Sequence, residues 1–442
     1  MARFLIATQP VTGHVLPALP IARRLVERGH EVVWYVGKKF RNQVETTGAR
    51  FAPYRQAYDY DDDDYNAAFQ GRSRLKGLAQ IKFDFINIFI KQFGPQHRDI
   101  EAILHEFPAD VTIGDPSIGA AFTVNEKGGP PNAVYNITCL GIKGRDVAPF
   151  GLGILPDSSP LGRIRNRLLY FLASNVIFKA VSDELERQCD RLGVRRRKFE
   201  GVLLSPFLFI EPTVPSFEYP RSDLPSQVHF IGALLPDAPG NLTLPAWWPE
   251  VVARKRPVVL VTQGTVATNA QELIAPTLRA LTHEDVLVIA AGVKDMRLLG
   301  LEPVPANARV EPFVPFKPLL PYVDVYVTNG GFGGVQFALM NGVPIVAGGT
   351  TEDKPEIGNR IAYSGVGINL KTSTPTPRQI HTAVKTVLSN PQYRERARRI
   401  RVELAQHDGP TEAARLLEQL AETKRPVLQP ERTDRSPSPP DP

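Results

Sequence analysis

The sequence predicts an α/β protein made of two similar domains, each a parallel sheet covered by helices on both sides. Three observations lead there. The chain opens with a strand, helix, strand unit; its second half carries five further apolar runs; and a proline-rich stretch separates the two sets. Length and composition agree, since 442 residues with 43% apolar content suffice for two or three domains with a core in each.

The first run is RFLIAT at 3 to 8. After a turn, apolar residues recur at helical spacing at Leu16, Leu19, Ile21, Leu25 and Val26, and a second run, VVWYV, follows at 32 to 36. Gly29 stands where a helix C-terminus favours positive φ, and such units close right-handed into parallel sheets. The same half holds predicted strands at 110 to 114 (DVTIG), 133 to 137 (AVYNI) and 228 to 232 (VHFIG). Residues 234 to 250, with four prolines, read as a linker or surface loop. The second set comprises PVVLVTQGT from 257, then 285 to 292, 308 to 314, 324 to 331 and 343 to 349. Each of these runs is apolar on both faces, as strands buried under two helical layers must be. The predicted organisation is a first domain at 1–233, a linker at 234–250, a second domain at 251–391 and helices at 392–425. A proline-rich tail at 426–442 is expected to be disordered and to lie outside the fold.

Composition also excludes. Lys and Arg outnumber Asp and Glu by 52 to 46, a net charge of +6 spread too thinly to favour nucleic acid but compatible with an anionic small ligand. The two cysteines, Cys139 and Cys189, lack metal-ligand spacing, which argues against a disulfide scaffold or structural zinc and for a reducing cytoplasm. Without a signal-peptide pattern or a run of 18 apolar residues, the expectation is a soluble protein that is not exported and has no membrane span. Residues 77 to 93 carry Ile81, Phe85, Ile88 and Phe89 at helical spacing, which suits a core helix or the wall of a greasy pocket. Asp61 to Asp64 read as a solvated loop rather than a metal site, because four adjacent carboxylates repel and do not converge on one cation.

The residues that carry chemistry lie where predicted strands end. Gly13 and His14 occupy the first strand-to-helix turn, at the edge where open parallel sheets bind ligands. A lone Gly13 is not a dinucleotide fingerprint, which disfavours nicotinamide or flavin chemistry. A histidine there suits deprotonation of a hydroxyl, and Asp115, ending the strand DVTIG, could orient and stabilise its imidazole; a turn role before Pro116 is the alternative. In TNGGFGGVQFAL, Gly330, Gly331, Gly333 and Gly334 lie between a strand and a helix, a setting for backbone amides to meet a diphosphate. No Gly-Lys-Ser/Thr follows, so this is not a P-loop. Glu352, Asp353 and Lys354 follow the next strand, where carboxylates could accept hydrogen bonds from sugar hydroxyls.

On GHVLPALPIARRLVERGHEV, VTQGT at 261 to 265, VEPFVPFKPLL, TNGGFGGVQFAL and GVPIVAGGTTEDKPE, the chain resembles the UDP-glycosyltransferase superfamily over about residues 1 to 420. The likeness is strongest to the bacterial macrolide-glycosyltransferase-like branch. It implies the GT-B fold, two Rossmann-like domains facing across a cleft, with a terminal helix crossing back. It also implies inverting, metal-independent transfer from a UDP- or TDP-linked sugar to a hydroxyl of a small lipophilic acceptor, phenolic, polyketide or macrolide. The nucleotide sugar is a co-substrate and no cofactor is expected. By that likeness His14 is the base and Asp115 its support. Asn329 and the glycines 330, 331, 333 and 334 hold the diphosphate, with Thr265 near the phosphates and Gly13 among the donor-binding residues. Phe313 stacks on the base, Val314 contacts it through its backbone, and Asp353 and Lys354 hold the sugar. Phe85, Phe89 and Phe150 are candidate acceptor contacts.

Three positions depart from the family pattern. Asn329 replaces a histidine, Phe337 a ribose-binding glutamate and Lys354 a glutamine. Two rival readings therefore stand beside transfer: a GT-B-fold sugar-nucleotide epimerase or hydrolase, and a glycosyltransferase-like protein that binds without catalysing. Donor sugar, base, acceptor, regiochemistry and oligomeric state are not legible in the sequence.

Overall fold

A computed structural model describes residues 1–236, 243–263, 269–301 and 303–430. Two wholly parallel sheets organise it. The first contains β1 (Arg3–Ala7), β2 (Glu31–Val36), β3 (Arg50–Pro53), β4 (Val111–Gly114), β5 (Asn132–Tyr135), β6 (Leu208–Glu211) and β7 (Val228–Phe230), in the spatial order β3-β2-β1-β4-β5-β6-β7. The second contains β8 (Val258–Thr262), β9 (Leu287–Ala291), β10 (Ala308–Glu311), β11 (Val325–Thr328), β12 (Ile345–Ala347) and β13 (Gly367–Asn369), in the order β10-β9-β8-β11-β12-β13. The chain direction of sheet growth reverses between β1 and β4 and again between β8 and β11, so each sheet has one switch point, the crevice where ligands of open α/β sheets bind. The central strands are sealed on both faces: Phe4, Leu5, Ile6 and Ala7 are all buried, as are Val259, Leu260 and Val261.

Three strands lie outside the sequence-predicted set: β3, β6 and β13. Each is three or four residues long, with an arginine and proline, a flanking proline, or a glycine that masks its signal. The predicted helix over 77 to 93 is broken. It runs as a helix over Gly77–Asp84, widens into a π-turn at Phe85–Phe89, tightens through Ile90–Gln92 and resumes at Phe93. The acidic run is not simply solvated either. Asp62 is buried, and the Lys39 ammonium sits 2.6 Å from Asp61, 2.6 Å from Asp62 and 2.9 Å from Asp63. A lysine thus occupies the place where those carboxylates would gather a cation.

Helix Pro391–Leu404 packs Ala397, Ile400 and Leu404 into the second core, and helix Gly409–Thr423 returns to the first, burying Ala413, Ala414, Leu417 and Leu420 beside Phe4 and Leu25. Glu418 fastens it there, bridging Arg28 at 2.6 Å and His30 at 2.7 Å. The fold continues past 426 as far as 430: Val427 is buried in the first core and donates its N–H to the Phe207 carbonyl at 2.9 Å. Residues 431 to 442 lie outside the described residues, as does the middle of the predicted linker, 237 to 242.

β6 ends on Glu211, whose carboxyl is wholly buried; Asn136 donates to one oxygen at 2.8 Å, and the other has no partner among the described residues. Burial, reinforced by the Glu218 carboxylate, pushes this carboxyl well above the usual range. A carboxyl raised by folding contributes its stability below the unfolded value, about 4.3, and that contribution is lost as pH rises toward the folded value. Glu211→Gln is expected to flatten the decline in urea midpoint of the wild-type chain between mildly acid and alkaline pH. Parallel pH profiles for the two chains would show that Glu211 ionises without penalty.

Candidate active site

β1 and β4, the strands flanking the first switch point, deliver His14 and Asp115. Beyond β1 the chain enters a single helical turn, Thr12–Val15, with no side-chain cap on its own preceding residue. The buried Asp62 carboxylate supplies it instead, accepting the Thr12 N–H at 2.7 Å. Tyr135 on β5 donates its hydroxyl to the His14 carbonyl at 2.7 Å, and the Phe89 ring lies nearly parallel to the imidazole, 15° apart with centroids at 6.3 Å. The His14 side chain is 14% exposed, so the ring is held in place yet open to the cleft.

Asp115 directly follows β4 and is fully buried. One carboxylate oxygen is 3.1 Å from His14 Nδ1 and accepts the Ser117 N–H at 2.8 Å and the Ser117 hydroxyl; the other accepts the Gln9 N–H at 2.9 Å. Burial alone would raise this carboxyl, but the charge and hydrogen bond of His14, with the Ser117 and Gln9 bonds, hold it below the usual carboxylate range. The anion faces Nδ1, which places the proton of a neutral imidazole there and leaves the Nε2 lone pair free. Ser117, 3.3 Å from His14 Nδ1, belongs to this cluster. A serine two residues after an aspartate is a turn signature that pointed to local structure, not to the histidine.

β8 and β11 flank the second switch point and carry the glycine segment. Asn329 follows β11, donates its amide to the Gln263 carbonyl, and accepts the Gly331 N–H at 3.3 Å. Gly330 has φ +89°, a conformation that favours glycine. Gly331 caps helix Phe332–Met340, so Gly333 and Gly334 lie in its first turn rather than in a loop as the sequence suggested. The two differ in purpose. A Cβ on Gly333 would meet nothing within 4 Å, leaving the helix end open, whereas one on Gly334 would sit 2.7 Å from the Tyr326 hydroxyl, so that glycine serves packing. Exposed amides at a helix N-terminus form an anion cradle. Gly13 likewise fronts open space. Thr265 lies outside the described residues.

The loop after β12 reaches across to the first domain. Asp353 accepts the Thr138 hydroxyl at 2.5 Å, and burial pushes its carboxyl up. The Lys354 ammonium rests on Glu352, whose backbone is left-handed at φ +57°. Burial first, and then the carboxylates of Asp62 and Glu352, push the Tyr65 phenol up. Val314 is buried and Phe313 is 63% exposed, a free ring face beyond β10. Phe337 packs edge-on against Phe316 at 5.9 Å in the second core. Of the three candidate acceptor contacts only Phe89 adjoins the His14 ring. Phe85 packs on Phe199 at 4.5 Å and on Phe89 at 6.1 Å, and Phe150 packs against the second core.

Residues 275–420 match the family described as Erythromycin biosynthesis protein CIII-like, C-terminal domain. The chain is 44% identical over 422 residues to 4'-demethylrebeccamycin synthase of Lentzea aerocolonigenes, covering 95% of this chain and 99% of that one. It is 35% identical to UDP-glycosyltransferase 2 of Phaeomoniella chlamydospora, covering 94% and 95%. Among solved structures, the glycotransferase of kitacinnamycin superposes with a TM-score of 0.75 at 23% identity, covering 95% of this chain and 98% of that one. CalG4, the calicheamicin glycosyltransferase, does so at 0.74 and 20% identity, covering 96% and 100%. Among the described residues no helix is long and apolar enough to cross a membrane.

Proposed function

Because the chain belongs to the UDP-glycosyltransferase superfamily, in its macrolide-glycosyltransferase-like branch, and is a GT-B glycosyltransferase, we propose that it glycosylates a hydroxyl of a small lipophilic acceptor with inversion. The donor is a UDP- or TDP-linked sugar and no metal takes part. The observation that carries this reading is the contact of His14 Nδ1 with the buried Asp115 carboxylate at 3.1 Å, at one switch point, with an amide-lined helix end at the other. His14 Nε2 takes the hydroxyl proton and the oxygen attacks the anomeric carbon. The bond from that carbon to the diphosphate breaks, and the nucleoside diphosphate leaves with the electron pair toward the glycine segment. The Gly333 amide at the helix end meets that developing charge, and Asp353 and Lys354 hold the sugar once Thr138 and Glu352 release them.

The test is incubation with UDP- and TDP-glucose and a panel of planar phenolic and polyketide acceptors, with and without EDTA, and NMR of the product anomer. A β-glucoside formed from an α-donor in EDTA is expected. Donor consumed without acceptor, retained configuration, or activity restored only by a divalent cation would each overturn the reading. Asp115→Asn is expected to lower turnover by at least about tenfold yet less than loss of the imidazole itself, since the amide keeps a hydrogen bond but not the charge that stabilises the cation. Unchanged kcat in that variant would remove Asp115 from the mechanism.

A further inference from the structure

At the opposite end of the second sheet, beyond the N-terminal ends of β8 and β11, lies a cavity of about 720 Å³. Strand length alone separates it from the donor cradle by roughly 15 Å. Five cationic side chains line it, Arg254, Lys255, Arg256, Arg394 and Arg398, against two carboxylates, Asp324 and Glu395. Two of the cations are already satisfied: Arg394 pairs with Asp324 at 2.9 Å, and Arg256 lies 3.7 Å from Glu250. Arg254, Lys255 and Arg398 have no carboxylate partner among the described residues. Arg254 is aimed by a left-handed backbone at φ +47° and by its bond to the Pro321 carbonyl at 3.1 Å. The Arg394 guanidinium feels the crowding: burial first, then the positive charges of Arg398 and Arg254, lower its affinity for its proton despite Asp324.

A cluster of like charges around a concavity is unfavourable until an anion enters, and arginines grip phosphate oxygens in pairs. The volume exceeds what one phosphate fills and matches the usual range for small-molecule sites. We propose that this cavity is a second ligand site, separate from the catalytic cleft, that binds a compact anion carrying two or more phosphates. Inorganic polyphosphate and a nucleoside triphosphate share that chemistry.

Calorimetry of the full chain with inorganic tripolyphosphate and, separately, with ATP tests this, each in the presence and absence of saturating UDP. Binding that persists beside UDP, weakens with salt, and falls at least about tenfold in Arg254→Gln/Arg398→Gln is expected. UDP affinity should be unchanged in that variant and the thermal midpoint no lower, since both side chains are exposed and their removal relieves like-charge repulsion. Tighter binding of ATP would assign the nucleotide as the ligand, and equal binding would assign the phosphate chain. Displacement by UDP, equal affinity in the variant, or no binding at millimolar ligand would overturn the proposal. The readout is binding, so its failure is distinct from failure of the transferase reading.

Discussion

His14→Ala is expected to lower turnover by about 10² to 10⁴-fold while donor affinity stays within about twofold, because in the proposed mechanism the imidazole takes the acceptor's proton and makes no contact with the nucleotide. The physical reason is the division of the ring. Asp115 takes Nδ1 at 3.1 Å, the Tyr135 hydroxyl fixes the backbone of the same residue at 2.7 Å, and Phe89 covers one face. Only Nε2 remains to receive a proton, and the buried anion behind it stabilises the cation that results. Steady-state kinetics with saturating donor, beside calorimetry of UDP binding, separates the two quantities. Near-wild-type kcat would assign proton removal elsewhere. A parallel collapse of UDP affinity would mean that His14 holds the cleft together.

The pair was legible in the sequence because both residues stand where an apolar strand gives way to a polar turn, and β1 and β4 are central strands whose apolar signal is strong. Their immediate support was not. Gln9 meets Asp115, and Ser117 meets His14, only because β1 and β4 lie side by side, with Ala7 opposite Gly114, and no local pattern encodes that register. β6 and β13 escape because a flanking proline and a leading glycine mask strands too short to carry the signal alone. The π-turn at Phe85–Phe89 leaves those two rings in contact, 6.1 Å apart, but Phe85 continues into the aromatic cluster with Phe199 while Phe89 reaches His14, a division that spacing alone does not encode. The glycine segment was read correctly as a strand-to-helix transition, but which of its glycines front open space and which merely pack is a matter of the Tyr326 hydroxyl, which β11 sets under the first turn of the following helix.

Arg360→Met is expected to destabilise the folded chain by about 3 to 5 kcal/mol, the cost of leaving buried carboxylates without their cation. Arg360 is 1% exposed and lies in the second domain's helix Lys354–Tyr363; it pairs with Glu218 of the first domain at 2.7 Å and Glu356 at 3.1 Å, and donates to the Leu140 carbonyl at 3.1 Å. Its guanidinium also lies 4.1 Å over the Tyr219 ring. Glu356 in turn accepts the Gly151 and Gly153 N–H groups at 3.0 and 2.8 Å, so the same cation braces the loop that carries Phe150. Urea denaturation followed by tryptophan fluorescence should show the loss as a lower midpoint. Arg360→Met/Glu218→Met should recover part of it, because Glu218 is then no longer left without its cation, although Glu356 still is. A double variant no more stable than the single one would mean that the pair's geometry, not its charge balance, sets how the two sheets meet. In that case the distance from His14 to the glycine segment is itself fixed by Arg360, and kcat should fall in both variants at temperatures where both remain folded.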